Sequence, residues 1–287
     1  MKIFRGFLFP FSIHVYTIKS RGLILMKTVV ITGSSRGIGY HLADQFLQNH
    51  YQVVLSGRSF NALSLARINL LEKNPDARIH TVPCDVGNYE QIENLWNQSI
   101  NQFGQVDIWI NNAGQAHPQA SSWEQHQSIM ESVINVNILG VIFGSKVAMQ
   151  GMLHQGFGAI YNMEGLGSDG RTVNGLSIYG TSKAAVRYFS KNLITEAALT
   201  NVRVGTLSPG MVMTDLIRKQ YTDQPEQWQQ AKRIFNILAD KPETIAEWMV
   251  PKIIANEKNG AHIAWLTQGK VMWRFISSLW HKRNITE

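Results

Sequence analysis

From Thr28 onward the chain alternates short runs that are apolar throughout with longer stretches that are apolar on one side only. "TVVITG" (28–33) reads as a buried strand and 38–49 as the helix after it. "QVVLSG" (52–57) is a second strand, followed by a helical stretch over 60–73. "RIHTVPCDV" (78–86), "VDIWINNAG" (106–114), "GAIYNM" (158–163) and "NVRVGTLSPG" (201–210) supply four more, and "HIAWLT" (262–267) a last one. Strands without polar alternation are covered on both faces, and the helical stretches between them supply the cover. The predicted fold class is α/β: a single Rossmann-type doubly wound parallel sheet with helices on both faces. Its ligand crevice lies at the carboxyl ends of the strands.

Composition agrees with one large domain. The 287 residues are 44% hydrophobic and 16% charged, enough to bury a sizeable core. The single cysteine, Cys84, excludes an intramolecular disulfide and fits a reducing compartment. The net charge is +7, of which residues 1–25 carry +4 and 270–287 carry +3. A neutral body with two basic ends is not a nucleic-acid-binding face. The nine histidines show no metal-ligand spacing, so no metal is expected.

The two ends differ. Residues 1–25 are rich in aromatics, lack acids and are broken by Pro10, Ser12 and His14, a poor transmembrane span. A transit peptide or surface anchor, a structured extension, and a start placed too far upstream of Met26 all fit them. In "GKVMWRFISSLWHKR" (269–283), Met272, Phe275, Ile276 and Leu279 fall at i, i+3, i+4 and i+7. That spacing makes an amphipathic helix. With Trp273, Trp280, Lys270, Arg274, Lys282 and Arg283 around it, the tail suits a peripheral membrane contact. A subunit contact fits it equally.

The chemistry begins in "TGSSRGIG" (32–39), where Gly33, Gly37 and Gly39 let the backbone turn sharply toward a pyrophosphate at a helix N-terminus. In "YGTSK" (179–183), Tyr179 and Lys183 stand at i and i+4 and project from one helix face. A free phenol titrates near about 10. An adjacent ammonium is expected to lower that value, so that proton transfer works in both directions.

The glycine turn reads T-G-x-x-x-G-x-G. With "NNAG" (111–114), "NVNILG" (135–140), "YGTSK" and "SPGMVMT" (208–214) in this order, residues 27–267 resemble the short-chain dehydrogenase/reductase family. The resemblance implies an oxidoreductase acting on carbonyl and alcohol groups, commonly a homo-oligomer. It assigns Gly33, Ser35, Arg36, Gly37, Ile38 and Gly39 to the dinucleotide turn, Asp85 and Val86 to the adenine, and Asn112 and Gly114 to the adenosine ribose side. Tyr179 becomes the acid/base, Lys183 its pKa modulator and nicotinamide-ribose ligand, and Asn137 the holder of a water linking Lys183 to solvent. Pro209, Gly210, Val212 and Thr214 close over the nicotinamide. Enzymes preferring NAD place an acid after the second strand. Here "SGRS" (56–59) offers Arg58, and Arg36 lies in the glycine turn, so the expected cofactor is NADP(H).

One family residue is missing. A serine normally precedes the tyrosine, where it helps stabilise the developing oxyanion. Here the equivalent position is Gly165 or Leu166. Ser168 sits on the same glycine-rich loop and could turn its hydroxyl into the pocket; a backbone N–H could serve instead. The loop "NMEGLGSDG" (162–170), with "LSPGMVMTDL" (207–216) and "FNILADKPETIAEWMVPKI" (235–253), resembles the chlorophyll b reductase branch. Those relatives use NADPH to reduce the 7-formyl group of chlorophyll b to hydroxymethyl. A general NADPH-dependent reductase of apolar aldehydes or ketones, such as lipids or sterols, and a non-catalytic NADP-binding protein are the alternatives. The implied organisation is a leader over 1–25, an NADP-binding domain over 26–268 with a lid at 215–241, and the tail over 269–287. In the lid, Trp228, Ile234, Phe235 and Ile237 either line a large apolar pocket or pack a helix on the core. The expected location is cytoplasmic with membrane association, or plastid for a plant or algal source.

Overall fold

The computed structural model describes residues 26–221 and 225–286, so the leader reading of 1–25 lies outside the described residues. Seven strands form one fully parallel sheet: β1 (Thr28–Thr32), β2 (Gln52–Gly57), β3 (Ile79–Pro83), β4 (Ile108–Asn111), β5 (Gly158–Met163), β6 (Val202–Ser208) and β7 (His262–Ala264). Their order is β3-β2-β1-β4-β5-β6-β7, so the winding reverses between β1 and β4. A doubly wound sheet opens its ligand crevice at that reversal. The strands end earlier than the apolar runs suggested. The last residues of 106–114, 201–210 and 262–267 leave the sheet at its carboxyl edge and become loops around the crevice.

Helices α1 (Gly37–Gln48), α2 (Phe60–Lys73), α3 (Tyr89–Phe103), α4 (Gln127–Ile134), α5 (Gly140–Gln155) and α6 (Ser177–Glu196) follow the strands in turn. Side chains alternate across each strand, and β1 divides accordingly. Val29 and Ile31 join Leu42 and Phe46 of α1 in one core, while Val30 joins Leu95 of α3 and Met152 of α5 in the other. Cys84, just past β3, is buried among these residues, which pushes its thiol up to about 12 and leaves it inert as a nucleophile.

Several helix starts carry a local side-chain cap. Ser59 accepts from Ala62 N at 3.3 Å to cap α2, and Asn88 accepts from Gln91 N at 3.0 Å to cap α3. The start of α6 has none: its capping position is Leu176, which has no side chain able to accept.

After β6 come the short α7 (Asp215–Arg218), α8 (Pro225–Leu238) and α9 (Pro242–Ile254), then β7 and α10 (Gln268–Ser277). In the lid, Leu216 and Ile217 line the crevice, whereas Trp228 and Phe235 pack on one another. Phe235 is buried against Trp228, Tyr221, Met213 and Ile285, and Ile234 is exposed. The tail departs from its expected charge pattern. Arg274 and Arg283 leave the apolar face of α10 and converge on the buried Asp240 carboxylate at 2.7 and 2.6 Å. Met272, Trp273, Phe275, Ile276, Leu279 and Trp280 remain exposed.

Candidate active site

A cleft of about 1240 Å³ runs along the carboxyl ends of the strands. At one end lies the β1–α1 turn. Gly33 and Gly37 adopt φ of +64° and +60°, a left-handed conformation that a β-carbon disfavours. A Cβ on Gly33 would come within 2.7 Å of the Ala113 backbone, and one on Gly39 within 2.5 Å of Asn112 Nδ2. The turn is therefore locked against the β4 end. Arg36, at the capping position of α1, makes no side-chain cap, which leaves the first amides of the helix without one. Glycines that permit close approach, ahead of uncapped amides, fit the pyrophosphate of a dinucleotide.

The other residues expected at this end share the cleft: Ser35, Ile38, Arg58, Asp85, Val86 and Gly114 line it, as do Pro209, Gly210, Val212 and Thr214 across from them. Arg58 makes no ion pair among the described residues, whereas Arg36 approaches Asp215 at 3.7 Å with both side chains exposed. An exposed pair of that kind is weak. Asn112 faces the cleft, yet its amide nitrogen donates to the carbonyls of Thr32 and Gly33 at 2.8 and 3.0 Å. Its side chain braces the glycine turn.

At the other end, α6 brings Tyr179 and Lys183 to the cleft on one face, both buried. Lys183 Nζ donates to the Met163 carbonyl at 3.1 Å and lies 6.0 Å from the Tyr179 ring centre. Burial pushes the phenol up to about 12 and the ammonium down to about 8, the latter opposed by the Glu164 carboxylate. The expected lowering of the phenol by Lys183 is absent, because desolvation dominates and the ammonium is turned to a carbonyl.

One further expectation changes. Ser168 is buried outside the cleft wall: its hydroxyl donates to the Lys183 carbonyl at 3.2 Å and accepts from Gly165 N at 3.1 Å. It ties the loop to α6 instead of facing a substrate. The same bond occupies the Gly165 N–H, so that amide is no substitute donor. Asn137 sits in a π turn (Asn135–Leu139) between α4 and α5, where the wider winding turns its side chain inward. It accepts from Gln115 N at 2.8 Å and donates to Gln115 O and Ser182 Oγ, both at 2.9 Å. Ser182 Oγ in turn donates to the Tyr179 carbonyl at 2.7 Å.

Gly165 explains the missing serine sterically. A Cβ there would come within 2.7 Å of the Tyr179 hydroxyl and 3.2 Å of the Lys183 side chain. Next to it, Glu164 is a buried acid on the cleft wall, 3.7 Å from Arg187 and 3.9 Å from His262. Sequence reading noticed this acid but gave it no role. It also missed His117, a buried imidazole on the cleft wall beside Tyr179; the one available signal was the apolar residue Leu176 where α6 needs a cap.

A glycine turn at the winding reversal, facing a buried Tyr–Lys pair across one cleft, defines a dinucleotide-dependent oxidoreductase. The chain belongs to the short chain dehydrogenase family, whose model matches residues 27–225. Among its relatives, a chloroplastic chlorophyll(ide) b reductase of Oryza sativa subsp. japonica is 34% identical over 88% of this chain and 74% of its own length. A probable chloroplastic chlorophyll(ide) b reductase of Arabidopsis thaliana is 31% identical over 90% of this chain and 54% of its own. The chain thus spans about half the length of that second relative. Levodione reductase has the same fold, with a TM-score of 0.77, 24% identity and coverage of 86% of this chain and 98% of its own. An actinorhodin polyketide ketoreductase solved with NADPH gives a TM-score of 0.73 at 25% identity, covering 83% and 96%.

Proposed function

We propose that the protein is an NADPH-dependent carbonyl reductase whose substrate is a large apolar carbonyl compound, with the formyl group of chlorophyll b as the specific candidate. The observation that carries this reading is the Glu164–Gly165 departure beside Tyr179. Glycine at 165 keeps the Cβ of a serine off the Tyr179 hydroxyl, and chlorophyll(ide) b reductases stand among the relatives of this chain. Bound NADPH supplies the hydride. Arg58, with Arg36 beside it, holds the 2′-phosphate, and the α1 amides meet the pyrophosphate. Asp85, Val86, Asn112 and Gly114 border the adenosine half, and Pro209, Gly210, Val212 and Thr214 close over the nicotinamide. Tyr179 gives its phenolic proton to the carbonyl oxygen and alone faces the developing oxyanion. Lys183, on the same helix face, would hold the nicotinamide ribose and favour the phenolate only once its ammonium turns from the Met163 carbonyl. Asn137 and Ser168 hold the α6 backbone at this point.

Purified protein with NADPH and chlorophyll b should yield the 7-hydroxymethyl pigment faster than it reduces a panel of apolar aldehydes and ketones. NADPH oxidation with the panel but not the pigment would leave the reductase and sink the substrate. Binding of NADPH with no turnover on any carbonyl would sink both.

The exposed apolar face of α10 is a peripheral membrane contact in this reading, since no acid occurs between residues 268 and 286 to oppose an anionic bilayer. Liposome co-sedimentation of the full chain and of a form ending at Gly269 tests it: the shorter form should lose anionic-vesicle binding while keeping the homo-oligomer. Equal binding would retire the membrane reading, and a dissociated oligomer would make α10 a subunit contact. The site of action is a membrane surface reached from the soluble phase, inside the plastid for a plant or algal source.

A further inference from the structure

The N-terminus of α6 poses a local problem. The first amides of a helix have no intrahelical acceptor. The first intrahelical bond of α6 runs from Gly180 N to the Leu176 carbonyl, 2.8 Å, which leaves the Tyr179 amide one residue short of a partner. Leu176 cannot cap it. The partner comes instead from 62 residues away: Tyr179 N donates to His117 Nε2 at 3.2 Å.

The imidazole is fixed for this task. Its Nδ1 lies 2.7 Å from the Pro118 carbonyl, which can only accept, so Nδ1 carries the proton and Nε2 presents its lone pair. Gln125 Nε2, 3.1 Å from the same Nδ1, donates to the same Pro118 oxygen at 2.8 Å and so shares that acceptor on the Nδ1 side of the ring. Both His117 and Gln125 are buried. A neutral ring with an inward lone pair suits the positive end of a helix, where an added positive charge is disfavoured.

We propose that His117 is a positioning residue for Tyr179, supplying from the loop after β4 the cap that α6 lacks and so fixing the backbone of the proton donor at the cleft. It rests on the reading of Tyr179 as the acid, and it reaches the chemistry only through that residue. Ser168 on the Lys183 carbonyl and Ser182 on the Tyr179 carbonyl hold the same turn from other sides, and among the described residues His117 is the one that bonds the Tyr179 amide at its open end. The consequence is a loss in kcat rather than in binding, because a small displacement of an acid affects the transition state more than the ground state.

The test compares His117→Phe, which keeps the ring and removes the acceptor, with His117→Gln, whose amide oxygen reaches the Nε2 position. Steady-state kinetics on the best carbonyl substrate, NADPH affinity, and hydrogen exchange at the Tyr179 amide are read together. For H117F, the expected result is a fall in kcat of about ten- to a hundredfold, an unchanged KM and NADPH Kd, and faster Tyr179 exchange. H117Q should recover most of the kcat and the protection. If H117F folds poorly, His117→Ala with imidazole added from solution replaces it, and restoration of kcat by imidazole is expected. Wild-type kcat in H117F, equal loss in H117F and H117Q, or no rescue of H117A would overturn the proposal. The exchange readout does not depend on Tyr179 being the acid, so a failure of that reading would show as altered exchange with Tyr179→Phe still active.

Discussion

At the cofactor end of the cleft, neighbouring residues in the chain do what distant residues do at the catalytic end. The β1–α1 turn takes its shape from Gly33 and Gly37 at positive φ, and the amides it presents are its own. The start of α6 and the loop before it are held by His117 and Asn137 from other elements, by Ser168 from the loop itself, and by Ser182 within the helix. The difference teaches where polar side chains go. At the glycine turn the backbone itself lines the cleft, and in the proposed reading it is what meets the ligand. At α6 one phenol faces the cleft as proposed donor, and most polar groups around it hold backbone.

The sharpest test of that division removes the reacting group itself. Tyr179→Phe should lower kcat by about a hundred- to ten-thousandfold, the usual contribution of a positioned acid, with NADPH affinity nearly intact. Wild-type kcat would erase the distinction between reacting and holding residues.

The cofactor end is probed next. Arg58→Asp should raise the NADPH Kd about ten- to a hundredfold relative to NADH, the cost of a charge-assisted bond replaced by repulsion. Unchanged relative affinities would move phosphate recognition to Arg36, despite its contact with Asp215.

The charge on Lys183 gives a pH test. With Lys183 lowered to about 8, the ammonium is lost as pH rises through that value, and kcat/KM, which reports the free enzyme, should fall on the alkaline side near pH 8. The Glu164 carboxylate holds the lysine up against burial. Glu164→Gln should therefore move the alkaline limb to lower pH, and Glu164→Asp should return it. An unmoved limb in E164Q would show that Glu164 serves only Arg187 and His262.

The smallest effect is expected at Ser168. If it is a brace, Ser168→Ala leaves the Gly165 amide unpaired, costs roughly 1–3 kcal/mol of stability in denaturant melts, and changes kcat only a few-fold. A fall of about a thousandfold, the cost of a lost oxyanion donor, would return the hydroxyl to the chemistry.

Apolar runs and motif spacing made much of this protein legible. Short runs such as "VVI" and "VVL", bounded by turn residues and alternating with helical stretches, read as strands buried on both faces, which is the pattern of a parallel sheet. Glycine spacing located the tight β1–α1 turn because Gly33 and Gly37 occupy backbone conformations that other residues avoid. An i, i+4 offset placed Tyr179 and Lys183 on one face of α6.

Side-chain direction at long range was decided only by the tertiary structure. Ser168 looked inward by sequence distance, but packing of its loop on α6 gave its hydroxyl a carbonyl to bond before any substrate. Arg274 and Arg283 looked like surface charges until the chain brought both to Asp240. Lys183 stands one turn from Tyr179, yet its charge depends on burial and on Glu164, neither of which spacing can show. Local order fixes which backbone conformations are allowed. Which buried donor meets which acceptor is settled when the sheet, helices and loops close on one another, because only then does each polar group lose its water and need a partner.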